Sequence, residues 1–299
     1  MKAVNNMKLK IIFMLIIISN IFQLNTYAFI SEKQQKEKDV EIIKNLEYSY
    51  VDNTHLLLDL YIPKSINNKP LPIVVWIHGG GWQNGDKNDS PLIDLTRYGF
   101  AIASIDYRLS GQAKFPAQIE DVMEAVSWLR TNAKKYNLNP KFIGAFGHSA
   151  GGHLAALLGT SGEEGSKIQA VCDLCGPTDF TKVFGTTNKE GQKYIDYENA
   201  VINLIGGKPE EHIEKVKAAN PINHITNQAP PFLLIHGNKD MVVPYSQSMI
   251  LFDALITKGL KAEIIIAENQ DHGLDFEADN KKLVVKIVKF FRKYLREQK

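Results

Sequence analysis

Hydrophobic and polar positions follow three different rhythms along the chain. Residues 47–51 and 56–62 alternate apolar and polar side chains on either side of Asp52-Asn53-Thr54, the pattern of an antiparallel hairpin. A charged leader, residues 31–44, precedes it. Beyond the hairpin, apolar residues dominate short runs at 72–77, 100–105, 141–146, 168–174, 232–235 and 262–266, which is how strands covered on both faces read. Between them the period lengthens. Across 117–135, Ile119, Val122, Val126 and Leu129 recur at helical spacing. Strands alternating with helices predict a mostly parallel twisted sheet with helices on both faces, entered through an antiparallel N-terminal hairpin.

One stretch breaks the alternation. Residues 177–225 are rich in polar and aromatic side chains and contain two helical patterns, 197–205 and 210–219, the second carrying His212. A connection this long is commonly a lid or binding insert, and here it is expected to shape a substrate pocket ahead of the strand at 232–235.

The first 28 residues follow no globular pattern. Lys2, Lys8 and Lys10 lead into the apolar run 11–18, and Thr26-Tyr27-Ala28 ends the segment with small residues where a signal peptidase needs them. This predicts a signal peptide cleaved after Ala28 and a secreted or periplasmic protein. The alternative, an uncleaved anchor, is disfavoured because the run falls short of the ~20 residues that span a bilayer. Losing these residues removes three lysines and no acids, moving the formal charge from +2 to −1. That leaves no electrostatic basis for binding nucleic acid or an anionic membrane. Stable membrane insertion after processing is likewise not expected. With 44% hydrophobic and 23% charged residues, the remainder suits one α/β domain, expected over 45–298.

Two cysteines, Cys172 and Cys175, lie in one apolar run. Read as strand throughout, that run points them to opposite faces about 10 Å apart, too far for a disulfide, so both are expected as buried free thiols. No metal or cofactor is expected.

The candidate chemistry centres on Gly147-His148-Ser149-Ala150-Gly151-Gly152, which joins the run at 141–146 to an apolar segment beginning at His153. A serine on a tight strand-to-helix turn needs glycines two before and two after it, because side chains there clash with the flanking elements. A serine hydroxyl also needs a base, and the base an orienting acid. Among eight histidines, His272 stands in the polar loop just past the last strand, where a side chain can reach over the sheet edge. Asp240 follows the strand at 232–235 in the same way. Asp271 is a rival acid, but a side chain adjacent in sequence diverges from the ring it must orient. Ser149, Asp240 and His272 then occur in the chain order of an α/β-hydrolase. His78-Gly79-Gly80-Gly81-Trp82 directly follows the run at 72–77 and supplies turning backbone N–H groups for an oxyanion, with His78 expected to anchor the loop and Trp82 to line the substrate site.

Taken together, these segments resemble a known family. His78 to Trp82 with Gly85-Asp86-Lys87, Asp106-Tyr107-Arg108-Leu109-Ser110, Phe115-Pro116-Ala117-Gln118, Gly147 to His153 and Cys175-Gly176-Pro177-Thr178-Asp179 are similar to the α/β-hydrolase esterases related to hormone-sensitive lipase, and most to bacterial feruloyl and acetyl xylan esterases of the BD-FAE type. The resemblance implies a carboxylic ester hydrolase working through an acyl-serine. It assigns Ser149, Asp240 and His272 as the triad, Gly80, Gly81 and Ala150 as oxyanion donors, and Asp106-Tyr107-Arg108 as a structural brace. It points to small or polysaccharide-linked ester substrates. Lipid esterase, formamidase and lactonase activities fit the same triad, while a serine peptidase or a non-catalytic binding protein fits less well.

Overall fold

Two adjacent residues with left-handed backbones, Asp52 (φ 49°) and Asn53 (φ 59°), turn the chain between strands β1 (Val40–Val51) and β2 (Thr54–Pro63). Positive φ at both central positions matches the twist of the flanking strands, as a two-residue hairpin requires. The structure, a computed structural model, describes residues 39–64, 69–88, 92–182, 187, 194–274 and 280–297. The expected signal peptide and the segments 183–186 and 188–193 of the insert lie outside these residues. The described residues from Ile42 onward form one compact unit. Strand β1 begins at Val40, inside what the sequence suggests is a charged leader.

Strands stand at all six expected positions: β3 (Leu71–Ile77), β4 (Ala101–Ile105), β5 (Leu138–His148), β6 (Ala170–Leu174), β7 (Phe232–Gly237) and β8 (Ala262–Ala267), although β8, at the sheet edge, is only half-buried. They form one eight-stranded sheet in the order β1-β2-β4-β3-β5-β6-β7-β8. Strand β2 runs antiparallel to β4, and every pairing from β4 to β8 is parallel. This is the α/β-hydrolase fold. Alternate side chains divide the core in two: Ile73, Val75 and Ile77 enter one cluster, Val74 and Trp76 the other. Helices α1 (Ala117–Asn132), α2 (Ala150–Ser161) and, further on, α5 (Ser246–Thr257) fill the first through residues such as Val126, Leu154 and Leu255. The C-terminal helix α6 (Asn280–Tyr294) closes the second with Ile287, Val288 and Phe291.

The insert contains α3 (Ile195–Ile205) and α4 (Ile213–Ala219). Its second helical pattern is shorter than the sequence suggests. Pro209–Glu211 makes only a 3-10 turn, and His212, at φ −131° and ψ 42°, breaks the helix before α4 restarts. Helix α3 buries Tyr197, Val201 and Leu204 in the larger core cluster, so this part of the insert is packed onto the domain.

The cysteines correct another expectation. Both are free and buried, but β6 ends at Leu174, and Cys175 takes a left-handed backbone (φ 53°). The chain turns there, and both thiols join the same core cluster instead of facing opposite sides.

Candidate active site

Parallel strands deliver their following loops to one edge of a sheet, and here β3, β5, β7 and β8 are followed by His78, Ser149, Asp240 and His272 respectively. Ser149 has φ 56° and ψ −119°, a backbone that a side chain adopts only when its surroundings impose it. Its N–H donates to Leu174 O at 2.7 Å, and its carbonyl accepts the His153 N–H at 3.0 Å, the first turn of α2. The flanking glycines are sterically required. A Cβ on Gly147 would fall 2.1 Å from Gly151 O, and one on Gly151 would fall 2.0 Å from Ile77 O.

The three residues expected to cooperate do meet. Ser149 Oγ lies 2.9 Å from His272 Nε2, and His272 Nδ1 lies 2.6 Å from Asp240 Oδ2. Asp240 has no side-chain exposure and His272 17%. Burial pushes the Asp240 carboxyl up, yet hydrogen bonds from His236 and His272 outweigh it and hold the group well below the usual carboxylate range. Its other oxygen, Oδ1, accepts the N–H groups of Val242 and Val243, both at 2.8 Å. The rival Asp271 instead turns inward on its own loop, accepting the Gly273 N–H at 2.9 Å.

The proton positions follow from carbonyl oxygens, which can only accept. His236 Nε2 lies 3.0 Å from Val243 O as well as 3.1 Å from Asp240 Oδ2, so this nitrogen carries a proton shared between them. Its Nδ1 then accepts from Ser248 Oγ at 2.8 Å. An ionised Asp240 accepts from both rings, which puts the His272 proton on Nδ1 and leaves the Nε2 lone pair facing the Ser149 hydroxyl. His148 works on the same residue from behind: its Nε2–H donates to the His272 carbonyl at 2.8 Å. Burial, with His272 beside it, pushes the His148 ring down to about 4, so it stays a neutral donor.

The sequence assigns no role to His148 or His236. The signals that would have found them are the direct adjacency of His148 to Ser149 and the four-residue spacing of His236 from Asp240.

The glycine loop stands against the elbow. A Cβ on Gly79 would meet His148 O at 3.0 Å and Ser149 Cβ at 3.4 Å. Gly80 (φ 96°) and Gly81 (φ 60°) both have left-handed backbones, and Gly80 O accepts the N–H groups of Gln83 and Asn84, each at 3.0 Å. Among the described residues, the N–H groups of Gly80, Gly81 and Ala150 donate no hydrogen bond. Tyr107 braces the loop: its ring stacks on His78 with centroids 4.3 Å apart, and its hydroxyl donates to His78 O at 3.1 Å. Arg108 is pinned by Asp121, which accepts its N–H at 2.8 Å and its guanidinium at 2.7 Å. Helix α3 reaches the same loop, with Asn203 Nδ2 donating to Gln83 Oε1 at 2.9 Å.

Trp82 differs from expectation. It is 1% exposed, with its indole edge-on to His153 and Phe180 at centroid distances of 5.2 and 5.6 Å. Its left-handed backbone (φ 58°) belongs to the same turn as Gly80 and Gly81, and the side chain ends in the core, supporting the loop from within instead of presenting a face to a substrate. The ligand atoms of His148, Cys175 and His272 lie within 4.8 Å of one another, as do those of Cys175, His236 and Asp240. No helix among the described residues is long and apolar enough to cross a membrane.

Comparison with known proteins places this geometry in context. A family model, BD-FAE, matches residues 58–255. Esterase LipC of Mycobacterium tuberculosis is 32% identical over 220 residues, covering 69% of this chain and 53% of its own. Isoprenylcysteine alpha-carbonyl methylesterase ICME of Arabidopsis thaliana is 29% identical over 75% of this chain and 55% of its own. The chain thus spans about half the length of these curated relatives. Among solved structures, a truncated carbohydrate esterase from gut microbiota superposes with a TM-score of 0.72 at 31% identity, over 85% of this chain and 95% of that one. A bifunctional GH43-CE protein of Bacteroides eggerthii gives 0.73 at 32% identity, over 84% of this chain and 38% of its own.

Proposed function

The chain belongs to the BD-FAE family, and on that premise we propose that it is a secreted serine carboxylic ester hydrolase acting on short-acyl or plant-polysaccharide acetyl and feruloyl esters. The observation that carries this reading is the unbroken path from Ser149 Oγ to His272 Nε2 (2.9 Å) and from His272 Nδ1 to Asp240 Oδ2 (2.6 Å). His272 takes the serine proton as Oγ attacks the ester carbonyl. The resulting imidazolium is stabilised by the buried Asp240 carboxylate, and the carbonyl oxygen, now an anion, accepts from the free N–H groups of Gly80, Gly81 and Ala150. His272 then protonates the departing alcohol, leaving an acyl group on Ser149. Water repeats the sequence to release the acid. Oxyanion donors of this kind are each worth about 10² to 10³ in rate.

Polysaccharide-derived esters are favoured as substrates by two supports: the carbohydrate esterases among the similar structures, and the expected signal peptide. The named lipid-type relatives, such as the isoprenylcysteine methylesterase, make a hydrophobic ester the competing class. Ser149→Ala is expected to abolish p-nitrophenyl acetate hydrolysis while leaving the circular dichroism spectrum and Tm intact; retained turnover would overturn the mechanism. A kcat/KM comparison across acetate, butyrate, octanoate, methyl ferulate and acetylated xylan decides the substrate class, with octanoate dominance contradicting the polysaccharide reading.

A further inference from the structure

Cys175 occupies an unusual place. It is the first residue past β6, and its neighbour Leu174 accepts the N–H of Ser149 at 2.7 Å. Its own N–H donates to Ile235 O at 2.9 Å, on the strand that carries the acid. The residue therefore sits between the two loops that must cooperate, and its left-handed backbone (φ 53°) turns the thiol beneath them. The proposed mechanism makes no use of that thiol.

Two groups of ligand atoms surround it, and they differ chemically. In the group of Cys175, His236 and Asp240, all three residues are buried; the His236 Nε2 proton is shared between Asp240 and Val243 O, and its Nδ1 lone pair is taken by the equally buried Ser248 hydroxyl. In the group of Cys175, His148 and His272, each ring has one protonated nitrogen and one lone pair, that of His148 on Nδ1 and that of His272 on Nε2, where it accepts the Ser149 hydroxyl at 2.9 Å. The three ligand atoms lie within 4.8 Å of one another, and His272 retains 17% exposure, so solvent reaches the cluster's edge. Tetrahedral coordination at Zn–S about 2.3 Å and Zn–N about 2.0 Å sets ligand atoms roughly 3.5 Å apart, so the cluster must contract by about 1 Å.

We propose that Cys175, His148 and His272 form a site for a soft divalent cation such as Zn²⁺ or Cd²⁺, and that a metal held there disables the enzyme. Coordination releases the Cys175 thiol proton to solvent and places the thiolate on the metal. His272 then loses its function through whichever nitrogen binds. A metal on Nε2 takes the lone pair that receives the Ser149 proton. A metal on Nδ1 displaces the proton shared with Asp240, and a proton acquired at Nε2 leaves nothing there to accept from Ser149. Thiolate and imidazole together select soft or borderline metals over Mg²⁺ and Ca²⁺.

Inhibition rests on the ester hydrolase reading, whereas metal binding does not, and the test separates them. Cd²⁺ is titrated into the whole protein while the ultraviolet thiolate-to-cadmium charge-transfer absorbance and p-nitrophenyl acetate hydrolysis are followed in parallel. The expected result is a saturating band with one Cd²⁺ per chain, loss of activity over the same range, and recovery of both with EDTA. Cys172→Ser keeps both responses. Cys175→Ser loses the band and, relative to its own metal-free rate, needs at least ~100-fold more Cd²⁺ for equal inhibition, since even outer partners of a metal site change affinity by 10- to 100-fold. No band in the wild-type protein overturns the site, whether or not the variants fold. A band that follows Cys172, or equal inhibition of Cys175→Ser, overturns it too. A protein that gives the Cys175-dependent band without hydrolysing any ester keeps the metal site and refutes the function.

Discussion

Replacing Asp240 by asparagine tests whether the site works through the tautomer of His272. The Asp240 carboxylate accepts four N–H groups: Val242 and Val243 on Oδ1, His272 and His236 on Oδ2. An amide offers one oxygen and one NH₂, so neither orientation satisfies all four. With its oxygen on the backbone side, the NH₂ faces two ring N–H groups. His236 is held to its tautomer by Val243 O, so His272 must give up its Nδ1 proton and carry it on Nε2, where it can no longer accept from Ser149. With its oxygen on the ring side, two buried backbone donors face the NH₂. In that second orientation two donors lose their acceptor, at about 1–3 kcal/mol each, giving roughly 2–6 kcal/mol of lost stability; in the first, His236 keeps Val243 O and the cost falls on the tautomer of His272.

The catalytic loss in the wrong-tautomer orientation is about 10⁴ in kcat, close to 5.5 kcal/mol of barrier. The measurement is kcat and KM for p-nitrophenyl acetate with urea unfolding of the same preparations. Asp240→Asn retaining kcat within about tenfold of the wild type, with unchanged unfolding, would refute the assignment of protons described above.

Three further outcomes follow from the same geometry. His148→Ala removes the donor to the His272 carbonyl and should lower kcat about tenfold, the worth of one hydrogen bond, with KM unchanged; His148→Gln, whose amide can donate, should restore much of it, and equal losses in both variants would count against a positioning role. Gly151→Ala puts a Cβ 2.0 Å from Ile77 O, and thermal melting should show at least ~3 kcal/mol of destabilisation or no soluble protein; a wild-type Tm would contradict the packing. Burial holds the His153 ring at about 4 against 6.5 in the unfolded chain, so the unfolded state binds more protons between those values. Stability from this group is fully present above about pH 6.5 and is lost as pH falls toward 4, by up to about 3 kcal/mol. Denaturation midpoints should therefore drop between about pH 7 and about pH 5, less so in His153→Gln, and an identical drop in that variant would exclude His153 as the source.

Much of this site was legible in the sequence because its chemistry depends on local strings. Gly147 and Gly151 are demanded by clashes with atoms at 2.1 and 2.0 Å, so the turn announces itself in composition. The central strands were visible because both faces of the sheet are covered there, leaving apolar runs that no amphipathic period interrupts. Three things escaped for physical reasons. The break at His212 depends on backbone angles, and the pattern of side chains continues through it. Trp82 sits beside the glycine loop in sequence, but whether an indole faces solvent or core is decided by the left-handed turn beneath it. Cys175 reads as strand because its neighbours are apolar, and only its backbone turn brings the thiol near His148, His236, Asp240 and His272.

His236 shows why the last layer of such a site resists sequence reading. It lies within β7 and is fully buried, so its position looks like any core residue of a parallel strand. Its function comes from what neighbouring loops offer it: the Val243 carbonyl fixes one nitrogen as a donor, the Ser248 hydroxyl satisfies the other, and the result is a fixed N–H aimed at Asp240. That N–H is one of the two that keep Asp240 ionised despite its burial. A residue with no reach to substrate thereby helps decide which nitrogen of His272 holds the proton. The same logic applies to His148, which holds the carbonyl of His272 while His236 acts on its acid, so the base is fixed from both sides. Reading such a layer requires knowing which buried oxygens can only accept, and that is information about backbone geometry that residue types do not carry.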